Sequence, residues 1–440
     1  MRVCGHCIFT GSAEGTRKNQ TNTPMINTRL IGMCALVAAA SLVVADDTHL
    51  NPDRSAQQPA LRPRPVLRPS IPKVNPAKPL LGDPLAGLTT EQQQLFADGK
   101  ADFEKSEDVE GGLGPIFNES SCVACHSSGA IGGGSARNVT RFGLTKHGKF
   151  DPLDALGGSL LQDQAILPAA TETVPPEANT IVHRNSTPLF GLGLIDAIPD
   201  EAILRNIRKQ PIDGVKGKAV VTTDIVSGKS RVGRFGWKSQ QTSVLAFAAD
   251  AYANEMGVTN RFFPTENAPN GDAVKLANAD FVLDPEDAPA TGLADFEKVA
   301  NFMKFLAPPP GVKLTPTAAA GQQLFTVAGC AVCHVPSMTT APSKEPAFDR
   351  KEVRLYSDLL LHDMGSLGDG IVQSPAGARE MRTSPLWGLR YSAPYLHDGR
   401  ATTVEAAILA HDGEAKVSRE RYLKLTPAQK KQLSEFLLSI

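Results

Sequence analysis

Apolar residues recur at helical spacing in two places along the chain. Phe296, Val299, Ala300, Met303 and Phe305-Leu306 form one stripe, and Leu433, Phe436, Leu437 and Ile440 form another after Thr426-Pro427. Apolar positions three and four apart make one buried face of a helix. Two helix starts also match each other. Thr90 with Gln93, just before Leu95-Phe96, resembles a capping box, and Pro316, ahead of Leu324-Phe325, suits a first helical position. Period-two alternation is scarce, and only Val220 to Val226 and Val353 to Tyr356 predict short hairpins. The pattern predicts a mainly α chain with long loops and a few short hairpins.

The layout occurs twice. Each half opens on a helix start, passes a Cys-x-x-Cys-His motif and reaches a Pro-Leu-aromatic-Gly-Leu segment. These segments are Pro188-Leu189-Phe190-Gly191-Leu192 and Pro385-Leu386-Trp387-Gly388-Leu389, preceded by Arg184 and Arg382. Pro308-Pro309-Pro310-Gly311 breaks the chain between the halves. Domains are therefore expected at 81–307 and 312–440, and a length of 440 residues accommodates both. A hydrophobic content of 41% permits ordinary cores. The net charge of −1 leaves no basic footprint for nucleic acid.

Residues 30–45 form a short apolar run after Arg29, ending in Val43-Val44-Ala45 before Asp46-Asp47. A positive flank, an apolar stretch and a small residue at the end describe a secretory signal peptide over 1–45. The run is too short for a membrane-spanning helix. Met25 is a natural initiator, so 1–24 reads as an over-extended start. Removing the leader takes away four basic residues and one acidic residue, leaving a net charge of −4. Residues 46–80, with eight prolines from Pro52 to Pro79, read as an extended, disordered linker.

The leader also removes Cys4, Cys7 and Cys34 from a total of 7 cysteines. The remaining four fall in Cys122-Val123-Ala124-Cys125-His126 and Cys330-Ala331-Val332-Cys333-His334. Chance gives on the order of 0.002 such pentapeptides at this composition. Two cysteines three apart share one face of a helical turn and can each form a thioether to one haem vinyl. The adjacent histidine then supplies the axial nitrogen. Structural zinc needs four ligands converging on one ion, but these pairs lie 208 residues apart. A thioredoxin-like motif needs a βαβ context that the pattern lacks. The motifs therefore predict two covalently bound haem c groups, with Cys122, Cys125, Cys330 and Cys333 as attachment points and His126 and His334 as iron ligands. Covalent attachment of this kind takes place outside the cytoplasm, so a periplasmic or envelope-associated location is expected.

Further segments carry a family resemblance. Gly112-Leu113-Gly114-Pro115-Ile116-Phe117-Asn118, Arg184 to Pro199, Tyr356 to Gly365 and Arg382 to Ala415 resemble the di-haem oxidoreductase family, related to bacterial di-haem cytochrome c peroxidases. Ala393-Pro394-Tyr395-Leu396-His397-Asp398-Gly399 is similar to a peroxidase stretch. The resemblance implies two c-type cytochrome domains, with reaction at the N-terminal haem and electron transfer through the C-terminal one. It implies His411 as the second ligand of the C-terminal haem, with Met364, His362 and His397 as rivals. A calcium ion between the domains is known in related enzymes, although no ligand run here indicates one.

The distal side of the first haem is open in this reading. His147, His183 and Glu255 are the candidates for proton transfer there. Trp237 and Trp387 are the candidates for bridging the haems. Peroxide or another small oxidant is the expected substrate, and a small cytochrome or cupredoxin the expected electron donor. Two alternatives stand beside this one: a di-haem cytochrome that only carries electrons, and a haem-bearing module of an envelope complex.

Overall fold

The computed structural model describes residues 79–440. The leader, with Cys4, Cys7 and Cys34, and nearly all of the proline-rich linker lie outside the described residues.

Short helices alternate with small antiparallel sheets and long loops. α1 spans Thr90–Glu104, α2 Cys122–Cys125, α3 Leu192–Asp196, α4 Asp200–Leu204, α5 Val244–Ala251, α6 Ala273–Ala279 and α7 Asp295–Phe305. Beyond the proline break come α8 (Pro316–Val327), α9 (Val404–Ala410), α10 (Lys416–Leu423) and α11 (Pro427–Leu437). None of the described helices is long and apolar enough to cross a membrane.

Helical residues outnumber strand residues, but the chain holds more sheet than its pattern predicts. Strand Asn138–Lys146 is the centre of a four-stranded antiparallel sheet with Lys149–Asp151, Leu160–Leu161 and Thr180–Asn185. Its alternation is masked because Phe142 and Gly143 are buried in succession. Gly143 is required there, since a Cβ would lie 2.3 Å from the Phe150 ring. The first expected hairpin exists as Val221–Thr223 paired with Ser230–Val232. In the second, Val353 pairs with Met338 and Tyr356 lies outside any strand.

The expected helix starts hold with one shift. The capping box of α1 is Thr89 with Gln92, one residue earlier than the sequence pattern suggests. Thr89 is the last extended residue, so its hydroxyl reaches the Gln92 N–H while Thr90 is already helical. Pro316 does occupy the first turn of α8 behind the Thr315 cap.

Each half is built on one close helix crossing. α1 packs on α7, and α8 packs on α11. A Cβ at Gly99 would sit 2.0 Å from the Lys298 carbonyl oxygen, and one at Gly321 2.0 Å from that of Gln432. Four residues after each glycine an aromatic ring meets its partner helix. Phe103 lies 4.8 Å from Phe302, and Phe325 lies 5.5 Å from Phe436, between ring centroids. The internal repeat is therefore a glycine-mediated crossing that sets a phenylalanine behind each cysteine-histidine turn.

The cores do not stop at the proline break. The larger cluster runs from Leu85 through Phe305 and takes in Met338, Phe348, Val353, Leu355 and Leu360. The smaller gathers Ala318, Phe325, Tyr356, Val404, Tyr422, Leu433, Phe436 and Leu437. A buried ionic group also joins the sequence halves. Arg184 donates through Nε (2.8 Å) and Nη2 (2.6 Å) to Asp369 Oδ2, and Lys238 Nζ lies 3.0 Å from Asp369 Oδ1. The side-chain exposures of Arg184, Lys238 and Asp369 are 4%, 0% and 0%.

Two predictions follow from this architecture. Gly99→Ala or Gly321→Ala should destabilise the fold by about 3 kcal/mol, because a methyl group inside a backbone contact must push the helices apart. The denaturant midpoint measures this, and an unshifted midpoint would refute the crossing. Asp369→Asn should cost about 3–5 kcal/mol by stranding two buried cations. Burial raises the Asp369 pKa, but Arg184 and Lys238 outweigh it and the net shift is downward. Its stabilisation is therefore complete above the unfolded value of 3.8 and lost as pH falls through its lower folded value. The destabilisation should accordingly be full at neutral pH and shrink in strong acid.

Candidate functional site

The first Cys-x-x-Cys motif is the single turn α2, with His126 as its C-cap. Cys122 and Val123 pack against the larger core. His126 Nδ1 lies 3.1 Å from the Gly133 carbonyl oxygen. A carbonyl only accepts, so Nδ1 carries the proton and Nε2 keeps a free lone pair. Gly133 makes this possible: a Cβ there would lie 2.0 Å from the Ser128 carbonyl oxygen, so only glycine lets the loop fold back so tightly. Phe103 flanks the imidazole at 6.2 Å.

The second motif is built to the same plan. Cys330–Val332 is a 3₁₀ turn entered through Gly329 at φ 87°. His334 Nδ1 lies 3.0 Å from the Tyr356 carbonyl oxygen, and Phe325 flanks the ring at 6.5 Å. Tyr356 sits at φ 52°, an unusual conformation for a bulky residue. His411 ends α9, and its Nδ1 lies 2.8 Å from the Ala407 carbonyl oxygen. All three imidazoles thus share one tautomer. The His334 and His411 centroids are 6.5 Å apart. Two imidazole–metal bonds of about 2 Å each, plus the two half-rings, span roughly that distance.

Electrostatics agree with neutral ligands. Burial pushes His126 and His334 down to about 4, with His411 adding to the shift at His334. Burial also lowers His411. The thiols of Cys122 and Cys330 are pushed up to about 12, and Cys125 to about 11, again by burial. Thiols held neutral in this way are poor nucleophiles, which disfavours thiol redox chemistry at the free cysteines.

Cys330, Cys333, His334 and His411 line one large cavity. It holds about 2130 Å³ of empty space, its open mouth included. Trp237 and Trp387 also line it. Trp237 donates through Nε1 to the Asn185 carbonyl oxygen at 3.0 Å and stands edge-on to His397 at 6.2 Å. The residues fit a haem on this observation: paired cysteines on one turn, opposed imidazoles with free Nε2 atoms, and room between them.

The structure sets one rival of His411 apart. His362 is buried with Nε2 3.0 Å from Asp358 and Nδ1 2.7 Å from Glu414, so neither nitrogen is free for a metal. Burial opposes its charge, but its hydrogen bonds, led by that to Asp358, raise it to about 12. Met364 and His397 line the cavity, as His411 does.

Around the first motif the candidates fare differently. His147 is exposed at the tip of the hairpin between Asn138–Lys146 and Lys149–Asp151, where His147 (φ 52°) and Gly148 (φ 74°) form a two-residue turn. His183 is exposed because alternate residues of its strand face out. Its neighbour Arg184 takes the inward position, and His183 Nδ1 meets Thr140 Oγ1 at 3.3 Å. Neither histidine makes a hydrogen bond or ring contact with His126. Glu255 is half-buried, and its Oε2 accepts from Asn118 Nδ2 at 2.7 Å. After burial, the Glu255 charge acts most strongly on the Cys125 thiol. Burial raises Glu255 itself.

Sequence reading missed the groups around Glu255. Burial raises Asp250 to about 6 and lowers Arg141 to about 10. The Nε atoms of Arg141 and Arg137 have no hydrogen-bond partner. No short motif marks these residues, since sheet and helix bring them together.

The family model described as "Di-haem oxidoreductase, putative peroxidase" matches residues 176–440. That span contains the second cysteine-histidine motif and begins after the first. No curated protein matches the sequence. Among solved structures, a hydrazine synthase of Kuenenia stuttgartiensis overlaps at 16% identity and a TM-score of 0.38, covering 89% of this chain and 100% of that one. A MauG-like protein associated with microbial copper homeostasis overlaps at 15% identity and a TM-score of 0.38, covering 82% and 92%. The diheme peroxidase BthA from Burkholderia thailandensis overlaps at 13% identity and a TM-score of 0.33, covering 79% and 85%. With the family model spanning well over half of its length, this chain belongs to the di-haem oxidoreductase family and is an enzyme of that class.

Proposed function

We propose that the protein is an exported peroxidase with c-type haems attached at Cys122/Cys125 and Cys330/Cys333. The observation that carries this reading is the unequal surroundings of the two motif histidines. His334 faces His411 at 6.5 Å. The ring next to His126 among the described residues is that of Phe103. A haem iron held by both His334 and His411 would supply electron transfer. A haem iron held by His126 without a second imidazole would supply the reaction with a small oxidant.

When bound, the haems supply the electron storage that peroxide reduction needs. The chain's own residues do the rest. The Gly133 and Tyr356 carbonyls hold the two motif imidazoles with Nε2 outward. Glu255, its carboxyl oriented by Asn118 Nδ2 and shifted upward by burial, is the group that would exchange a proton near Cys125. Arg141 offsets the negative charge that Glu255 and Asp250 place there. Trp237 and Trp387, which line the cavity of the second motif, are the candidates to carry electrons from the 312–440 half towards the 81–307 half. The donor is a small cytochrome or cupredoxin. The leader at 1–45 sends the chain to the periplasm, and the proline-rich linker spaces the enzyme from its envelope neighbours.

Spectroscopy of the purified holoprotein tests this directly. Both haems should stay with the chain after acid–acetone extraction, and Cys122→Ser/Cys125→Ser should lose one of them. One low-spin and one high-spin haem are expected, and His411→Ala should convert the low-spin signal. Two low-spin haems inert to peroxide after half-reduction would leave an electron carrier instead. Glu255→Gln should slow peroxide turnover by about 10²-fold, with both haem spectra kept. An unchanged rate would remove Glu255 from proton transfer.

A further inference from the structure

Three carboxylates gather away from both cysteine-histidine turns. One oxygen each from Glu266, Asp284 and Glu286 lies within 4.8 Å of the other two. Glu266 is only 9% exposed, yet beyond the contact between the Glu266 and Glu286 carboxyls its Oε1 has no hydrogen-bond partner, and neither has Glu286 Oε2. Leaving such oxygens buried and bare is costly unless a cation satisfies them. After burial, Glu266 is raised by the charge of Glu286 and a side-chain hydrogen bond with it, and then by the charges of Asp284 and Asp280.

The arrangement is held in place by its surroundings. The Thr259 hydroxyl donates to Asp284 Oδ1 at 2.7 Å and accepts from the Glu286 N–H at 3.0 Å. This fixes two carboxylates on one side of the loop. Gly112, at φ 94°, lets the facing loop approach, since a Cβ there would lie 3.0 Å from Glu286 Oε2. Asp284 is exposed, so water reaches the cluster from its side.

We propose that Glu266, Asp284 and Glu286 form a binding site for a divalent cation of the calcium type. Oxygen donors alone select a hard ion over zinc or copper. Calcium takes six to eight oxygens in irregular geometry, so water on the open side can complete the set. Magnesium demands a near-ideal octahedron and gives up its waters reluctantly, so it is the weaker fit to a cluster of buried carboxylates. The site lies wholly within the 81–307 half, so it is distinct from an ion between the halves. It also anchors a structural lever. Asp287, the next residue, accepts from the Asp295 and Phe296 N–H groups at 3.0 and 3.1 Å and so caps α7. α7 carries Phe302, which packs on Phe103 beside His126.

The test uses the haem-loaded protein, stripped with chelator and dialysed against calcium chloride. Metal analysis should find a calcium equivalent that Glu266→Gln/Glu286→Gln lacks. Chelation should lower the wild-type Tm by several degrees and leave the double variant unmoved. Should the double variant not fold, the exposed Asp284→Asn change is expected to weaken binding by roughly tenfold. The proposal is overturned if the wild type takes up no calcium at millimolar concentration, since Glu266 and Glu286 then share a proton instead. It is equally overturned if the carboxamide variants keep the wild-type calcium content, or if magnesium stabilises the protein as well as calcium does.

Discussion

A backbone carbonyl holding one nitrogen of an imidazole is the contact on which the rest of this structure depends. His126, His334 and His411 each place Nδ1 against a carbonyl oxygen, from Gly133, Tyr356 and Ala407. The hydrogen bond settles the tautomer, orients the ring and makes Nε2 a better donor. The two motif clamps need a backbone that ordinary residues do not readily provide, whereas the Ala407 clamp is a regular turn of α9. Gly133 tolerates a contact that no side chain would permit, and Tyr356 is held at positive φ. The surrounding packing maintains these conformations, as strained backbone at functional sites requires.

That packing is the helix crossing repeated in both halves. Gly99 and Gly321 bring two helices close enough for Phe103 and Phe325 to reach the rings of His126 and His334. Duplication of one scaffold thus presents two imidazoles in the same way. The halves then diverge in what stands opposite. α9 delivers His411 to His334, while the four-stranded sheet and the turn bearing Glu255 occupy the neighbourhood of the first motif. One scaffold thus gives the two motif imidazoles different surroundings.

Charge buried between the sequence halves adds a second constraint. Arg184 and Lys238 share Asp369, and Lys238 Nζ also donates to the Gly377 and Glu380 carbonyl oxygens at 2.9 Å. Such a group contributes little net stability compared with apolar packing, but any wrong arrangement leaves a bare charge. We regard it as a registry device that fixes how strand Thr180–Asn185 meets the loop at 369–380, next to the cavity lined by Trp237 and His397.

Much of this was legible in the chain because it is local. The cysteine-histidine turns, the Pro316 start of α8 and the apolar faces of α7 and α11 depend on spacing within a few residues. Even the Thr89 box was visible to within one residue, since a cap is read from side chains three apart. The sheet around Asn138–Lys146 was not, because Gly143 and Phe142 break its alternation and its partners lie up to 47 residues away. His147 and His183 looked equivalent as letters. A hairpin turn and a strand's outward face placed both in solvent. By itself, then, the sequence determined the two Cys-x-x-Cys-His motifs and the repeated helical frame, because those are short-range patterns of spacing and periodicity. Only the tertiary structure decided which histidine faces His334, which acid lies by Cys125 and which carboxylates meet without a counter-charge, because such pairings depend on long-range packing that no local spacing encodes.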